Sequence, residues 1–269
     1  MRVVAPFIAL LSALAGAFAE DAEGERRVVP PSGTASDMES ALQKLRLPGV
    51  KINLAEHSVD VAGEICLEEG MLELVACTRN TKEHESIVVI KARPMHIHTA
   101  LLLLGAKPGN PAIHKPVPGD ETRWISVPPQ GGRVKVCLVF KNEKGELVER
   151  PIRDFIAPTD PAGTDREGKG GKEFPTDTFL FAGSHLVAEG EGPRVYLGDR
   201  SGNVISIATF GDELLCLPDV HSHQNGALVW QVDKTHLPEV GTEVTLRLRP
   251  ITGRKPRRPN SPVPGTKSE

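Results

Sequence analysis

LELVACTRNTKEHESIVVIKARPMHIHTALLLLGAKP, residues 72–108, decides how this chain is read. Its first part, with MLELVAC (71–77), is apolar and rich in residues that suit a strand, and SIVVIKA (86–92) is nearly continuous in β-branched side chains, the composition of a central strand. Pro94 stands where a first helical residue would, and MHIHTALLLLG runs to Gly105, a natural stop, so a helix is expected between them. Ile97, Ala100, Leu101 and Leu104 share one face, while Leu102 and Leu103 fall elsewhere, so this helix reads as apolar most of the way round and buried. Into this apolar setting the sequence places Cys77, His84, Glu85, His96 and His98. Polar, metal-binding and nucleophilic groups embedded in buried elements conflict locally with the fold, and such conflict marks a candidate site.

If the two strands form a hairpin across residues 78–83, Cys77 and His84 fall opposite one another on one face, with Cβ atoms about 4.5–5.5 Å apart. A thiol beside an imidazole is half of a soft metal site and is also the pairing that favours a thiolate. His96 and His98 lie about 200° apart around a helix, so a regular helix offers only one to the same ion, and His98, beside Leu101, is the better placed. Glu85 completes the expected ligand-binding set of Cys77, His84, Glu85 and His98. Cys77, His84 and His98 are its metal ligands, and a transition-metal ion is the cofactor they suit. A salt bridge from Glu85 to Arg79 or Lys82 would satisfy that carboxylate without any function.

Outward from this stretch, VKINL (50–54) and SVDVAGEICL (58–67) alternate as a meander leading into it. The Pro- and Gly-containing residues 107–130 read as an irregular loop, followed by a strand at 133–142 and a turn at Lys144-Gly145 toward another near Val148. Further strands are expected at DTFLFAGS, PRVYLGD, NVISIATF, ALVWQV and TEVTLRLRP. The expected fold is α+β, a mostly antiparallel sheet with one principal buried helix packed on it.

Residues 1–19 carry Arg2, an apolar run and Ala17-Phe18-Ala19, the anatomy of a secretory signal, and the run is shorter than the roughly 20 residues of a spanning helix. The expected organisation is therefore signal peptide 1–19, polar tether 20–41, one domain 42–250 with an exposed insertion at 158–175, and a basic Pro-rich tail 251–269. Such a chain is exported, to the periplasm or beyond, with no membrane span in its mature part. A formal net charge of -3 across 269 residues gives no field for nucleic acid. Four cysteines without a CxxC exclude zinc ribbons and iron–sulfur patterns, and their pairing is left open. His221 and His223 have a spacing that can chelate. There is no P-loop, GxGxxG, HExxH, EF-hand loop or G-x-S-x-G, so the common NTPase, dehydrogenase and hydrolase readings drop out.

LEL-VAC, TKEHES, the apolar strand and HTALLLLGAKPGNP, together with the later FAGS and NVISIATFGDELLCL, resemble the YdjY-domain family of exported bacterial proteins. The positions that match are Cys77, His84, Glu85, Ser86, His98, Gly183 and Ser184. The resemblance implies export and a shared fold, and it names no activity. The preferred expectation is a non-enzymatic metal- or small-ligand-binding module. The alternatives are a structural or interaction domain without a site, or a periplasmic enzyme with Cys77 as nucleophile, His84 as base and Glu85 orienting it.

Overall fold

The computed structural model describes residues 45–159, 173–188, 190–221 and 228–252. The signal peptide, the tether, most of the 158–175 insertion, His223 and the tail from residue 253 lie outside the described residues. In chain order the elements are β1 (Val50–Asn53), β2 (Ser58–Ile65), β3 (Leu74–Thr78), β4 (Ser86–Ile90), α1 (Pro94–Leu103), β5 (Ile113–Val117), β6 (Asp120–Val127), β7 (Arg133–Lys141), β8 (Leu147–Pro151), β9 (Ile156–Pro158) and β10 (Thr178–Phe181). They continue as β11 (Leu186–Val187), β12 (Val195–Tyr196), the single-turn α2 (Leu197–Ser201), β13 (Asn203–Ser206), β14 (Leu215–Cys216), β15 (Trp230–Val232) and β16 (Glu243–Pro250).

The expected sheet-plus-helix arrangement is corrected: the protein is mostly β, and its centre is an eight-stranded barrel. The circuit runs β2, β16, β7, β10, β14, β13, β3, β4, and β4 returns to β2 through Gly63↔Ile90 and Ile65↔Val88. Closure depends on one edge of β2 being shared, because β1 pairs with its first half and β4 with its second. Alternation along each strand sends one set of side chains inward, where Val59, Val61, Ile87, Val136, Leu138, Phe179, Leu246 and Leu248 make one continuous core. Closing the sheet removes the free edges that an open sheet would expose.

Helix α1 begins at Pro94 and ends at Leu103, two residues before the left-handed Gly105, where the Ala106 and Gly105 N–H groups return to the Leu101 and Leu102 carbonyls in a Schellman turn. Its Ile97, Ala100 and Leu101 join the barrel core, but Leu102 and Leu103 are 44% and 45% exposed, so the helix is buried on one face only. A ten-residue helix against a closed barrel has one wall to cover it, which is why an all-round apolar sequence does not become all-round burial. Residues 107–130, expected as irregular, contain the hairpin β5–β6, paired from Ile113↔Val127 to Val117↔Asp120 and largely exposed. PRVYLGD supplies only the two residues of β12 before the chain turns into α2.

Candidate functional site

The connection between β3 and β4 places the site differently from a hairpin. The two strands are parallel neighbours, with Leu74↔Ser86 and Cys77↔Val89 in register. A parallel pair ordinarily needs a crossover of a dozen or more residues, yet residues 79–85 achieve the return. Asn80 takes a left-handed conformation (φ 63°), and the Glu83 carboxylate accepts the Asn80 and Thr81 N–H groups, the latter at 2.8 Å. A 3₁₀ turn, Glu83–Glu85, then leads the chain into β4 level with the start of β3. The expected Cys77–His84 juxtaposition is thereby lost. Cys77 is fully buried, whereas the His84 side chain is 78% exposed on the 3₁₀ turn.

What Cys77 meets is a second, smaller core outside the barrel wall, made with Leu74 and Val89 and closed by Cys66 and Phe210. Cys66 follows β2, packs against this core beside Cys77, and donates its S–H to the Ser86 carbonyl at 3.1 Å. The neighbouring Cys66 side chain holds the Cys77 thiol down to about 7 against the opposing effect of burial, with contributions from the Ser86 hydroxyl, the Lys82 N–H and the Thr81 hydroxyl. Those hydroxyls also reach carbonyls, Ser86 Oγ that of Lys82 at 2.7 Å and Thr81 Oγ1 that of Thr78 at 2.6 Å. Each has a single proton to give, and so does Cys66, whose S–H is directed to the Ser86 carbonyl. The same contact, then burial, pushes the Cys66 thiol up, so the thiolate of the pair resides on Cys77. Both are free thiols, as are Cys137 and Cys216.

The roof over this core is charged. Lys82 Nζ sits 3.6 Å from the centroid of the Phe210 ring, 3.2 Å from Glu85 Oε1 and 3.6 Å from Glu73 Oε2. Glu85 thus finds the Lys82 salt bridge that satisfies it structurally, and His84 Nε2 approaches its other oxygen at 3.7 Å. Burial, with the neighbouring Glu85 charge, raises the Glu73 carboxyl above its ordinary value.

His98 belongs to another cluster. Its Nδ1 lies 3.1 Å from the Gly183 carbonyl and 2.9 Å from Tyr196 Oη, whose hydroxyl donates to the same carbonyl at 2.8 Å. A carbonyl can only accept, so Nδ1 carries the proton and the Nε2 lone pair faces away; burial lowers the imidazole pKa, which keeps the ring neutral. Gly183 has φ 88°, and a Cβ there would meet His98 Cε1 and Pro108 Cβ at 3.2 Å, so only glycine lets its carbonyl and the ring approach this closely. Ser184 Oγ accepts the Gly198 N–H at 2.9 Å, and Asp199 receives both Arg93 and the Met95 N–H at the open start of α1. This second cluster fastens α1 to the barrel.

Cys77, His84 and His98 are therefore not brought together. Among the described residues no group of three or more His, Cys, Asp or Glu side chains could hold a metal ion. Sequence reasoning missed Cys66, Lys82 and Phe210 as neighbours of Cys77, although Lys82 lies inside TKEHES and Phe210 inside ATFGDELLC.

The sequence pattern of the YdjY domain matches residues 50–249, the span from the start of β1 almost to the end of β16. This chain belongs to the YdjY-domain family. No curated protein and no solved structure matches it. Within this YdjY domain the motif residues serve two ends, with Gly183, Ser184 and His98 holding the helix and TKEHES building the roof over Cys77. No helix among the described residues is long and apolar enough to cross a membrane.

Proposed function

We propose that this exported YdjY domain is a non-enzymatic metal-binding module whose ligands are the paired thiols Cys66 and Cys77. The observation that carries it is the packing of Cys66 against the small buried core that holds Cys77, whose thiol is lowered to about 7. Two cysteine sulfurs packed in one small core suit a soft d10 ion, of which Cu(I) is satisfied by sulfur ligands alone. Binding inserts the ion between the sulfurs, and the proton of Cys66 leaves to solvent, so affinity rises with pH.

The geometry argues against an enzyme working by thiol attack. The lower thiol is on the fully buried member of the pair, the partly buried member is pushed up and keeps its proton, and His84 is not positioned as a base. The test is titration of fully reduced protein with Cu(I) against a competing bicinchoninate chelator. One ion per chain is expected, with loss of binding in both Cys66→Ser and Cys77→Ser and none in Cys137→Ser. Retention of the ion by both variants, or equal loss in Cys137→Ser, overturns the proposal.

A further inference from the structure

The β5–β6 hairpin is a sheet of its own: among the described residues its strands pair with each other and with no further strand. Thr122, Arg123, Trp124, Ile125 and Ser126 in β6 are all exposed, Trp124 at 63% and Ile125 at 41%. Both faces are thus uncovered, where an antiparallel strand ordinarily packs one of them. A lone two-stranded hairpin is marginal in water, and further strands or a packed face make it stable. The two edges of this hairpin are not alike. Pro116 is paired with Trp124, and having no N–H it cannot exchange hydrogen bonds with that residue, so the main-chain groups of this pair point outward. On the β5 side the outward position is the donorless Pro116, which closes that edge. On the β6 side the N–H and C=O of Trp124 point away from β5, and by the period of two so do those of Ser126. The Thr122 N–H, next in that series, is already taken by Asp120 Oδ1 at 3.1 Å. What remains is one Pro-free edge with its open positions at Trp124 and Ser126.

We infer that this edge pairs with the same edge of a second copy of the chain, antiparallel and centred on Ile125. The spacing of the open positions fits that occupant. About a two-fold axis at Ile125, Trp124 of each copy exchanges both main-chain hydrogen bonds with Ser126 of the other, so every open group finds its partner in one reciprocal step. A register centred on Trp124 would set Thr122 against Ser126 and compete for an N–H that Asp120 already holds. Ile125 of each copy meets Ile125 of the other in the close, non-hydrogen-bonded pair, and Arg123 falls opposite Val127, so like charges do not oppose. Two hairpins of two strands make a sheet of four. Pro116 stands at both of its outer edges and stops growth there, so the product is a closed dimer and not a filament.

Sedimentation equilibrium of the full chain, from micromolar to sub-millimolar concentration, reads the association. The native protein is expected to dimerise reversibly. Ser126→Pro removes the outward N–H and keeps the bonds to β5, and it is expected to weaken the dimer roughly tenfold or more. Ser126→Ala, which retains the N–H, leaves the dimer unchanged. Ile125→Lys and Ile125→Glu each set like charges opposite one another across the axis, so each is expected to be monomeric alone and to form a heterodimer when the two are mixed. A native chain monomeric throughout, which leaves the edge to a different partner, overturns the inference. So does a dimer indifferent to Ser126→Pro, or a mixture of Ile125→Lys and Ile125→Glu that stays monomeric. If Ser126→Pro does not fold, as its thermal melt reports, the charge-swapped pair decides alone. These outcomes are separate from the fate of the dithiol reading, which stands or falls on Cys66→Ser and Cys77→Ser.

Discussion

Replacing Glu149 by Gln tests how the outer strands are tied to the barrel. Glu149 on β8 accepts from Arg249 on β16, with one contact at 2.9 Å, and from Arg247 Nη1 at 3.1 Å. Arg247 in turn grips Asp60 on β2 through two bonds of 2.7 and 2.8 Å, so one network spans β8, β16 and β2 across the intervening β7. The hydrogen bond from Arg249 is the main reason the Glu149 carboxyl falls from 4.5 to about 2. At roughly 1.4 kcal/mol per pH unit that displacement sets a ceiling of about 3 kcal/mol. The side chain is 32% exposed, and solvent screening brings the expected contribution to about 1–2 kcal/mol. The folded-state pKa is depressed, so this stability is fully present above the unfolded value and is lost as pH falls from about 5 toward 2. Glu149→Gln keeps the shape and removes the charge. At pH 7 its melting temperature should fall by about 3–6 °C, and the difference from native protein should shrink steadily below pH 4. Calorimetry across pH 2–7 measures both. Equal melting temperatures at pH 7, or a gap that persists undiminished at pH 2, would refute the argument.

Two further substitutions probe the wall around the site. Glu213 is fully buried, accepts the Phe210 and Gly211 N–H groups through Oε1, leaves Oε2 without a hydrogen-bond partner among the described residues, and has its carboxyl pKa raised by burial. Its ionisation therefore works against the fold as pH rises through the raised value, and Glu213→Gln should be more stable than native protein at pH 8 and nearly equal to it at pH 4, as read by urea denaturation; a variant less stable at pH 8 contradicts this. Gly131 has φ 157°, and a Cβ there would lie 2.2 Å from the Phe181 carbonyl oxygen, so Gly131→Ala should not yield soluble folded protein; a native far-ultraviolet spectrum and melting temperature would disprove the packing described.

Residues 72–108 disclosed much on their own. The strands around Cys77 and Val88, and the helix from Pro94 to the Gly105 stop, are legible because periodicity, Pro at the first turn and Gly at the last are local properties of the chain. The family resemblance was legible for the same reason, since its motifs are short and contiguous. Glu85 and Lys82, three residues apart, were also within reach of local reasoning, and their salt bridge forms.

What the sequence could not decide is who pairs with whom. Whether residues 79–85 turn β4 antiparallel or carry it back parallel to β3 depends on a left-handed Asn80 and a Glu83 carboxylate capping two N–H groups, and that choice moved His84 into solvent and left Cys77 facing Cys66. Closure of the barrel likewise depends on β2 finding β16 along one edge and β1 and β4 along the other, contacts between residues far apart in the chain. Period-2 alternation fixes which side chains face inward, but an open sheet and a closed barrel share that alternation, and only the long-range pairing distinguishes them.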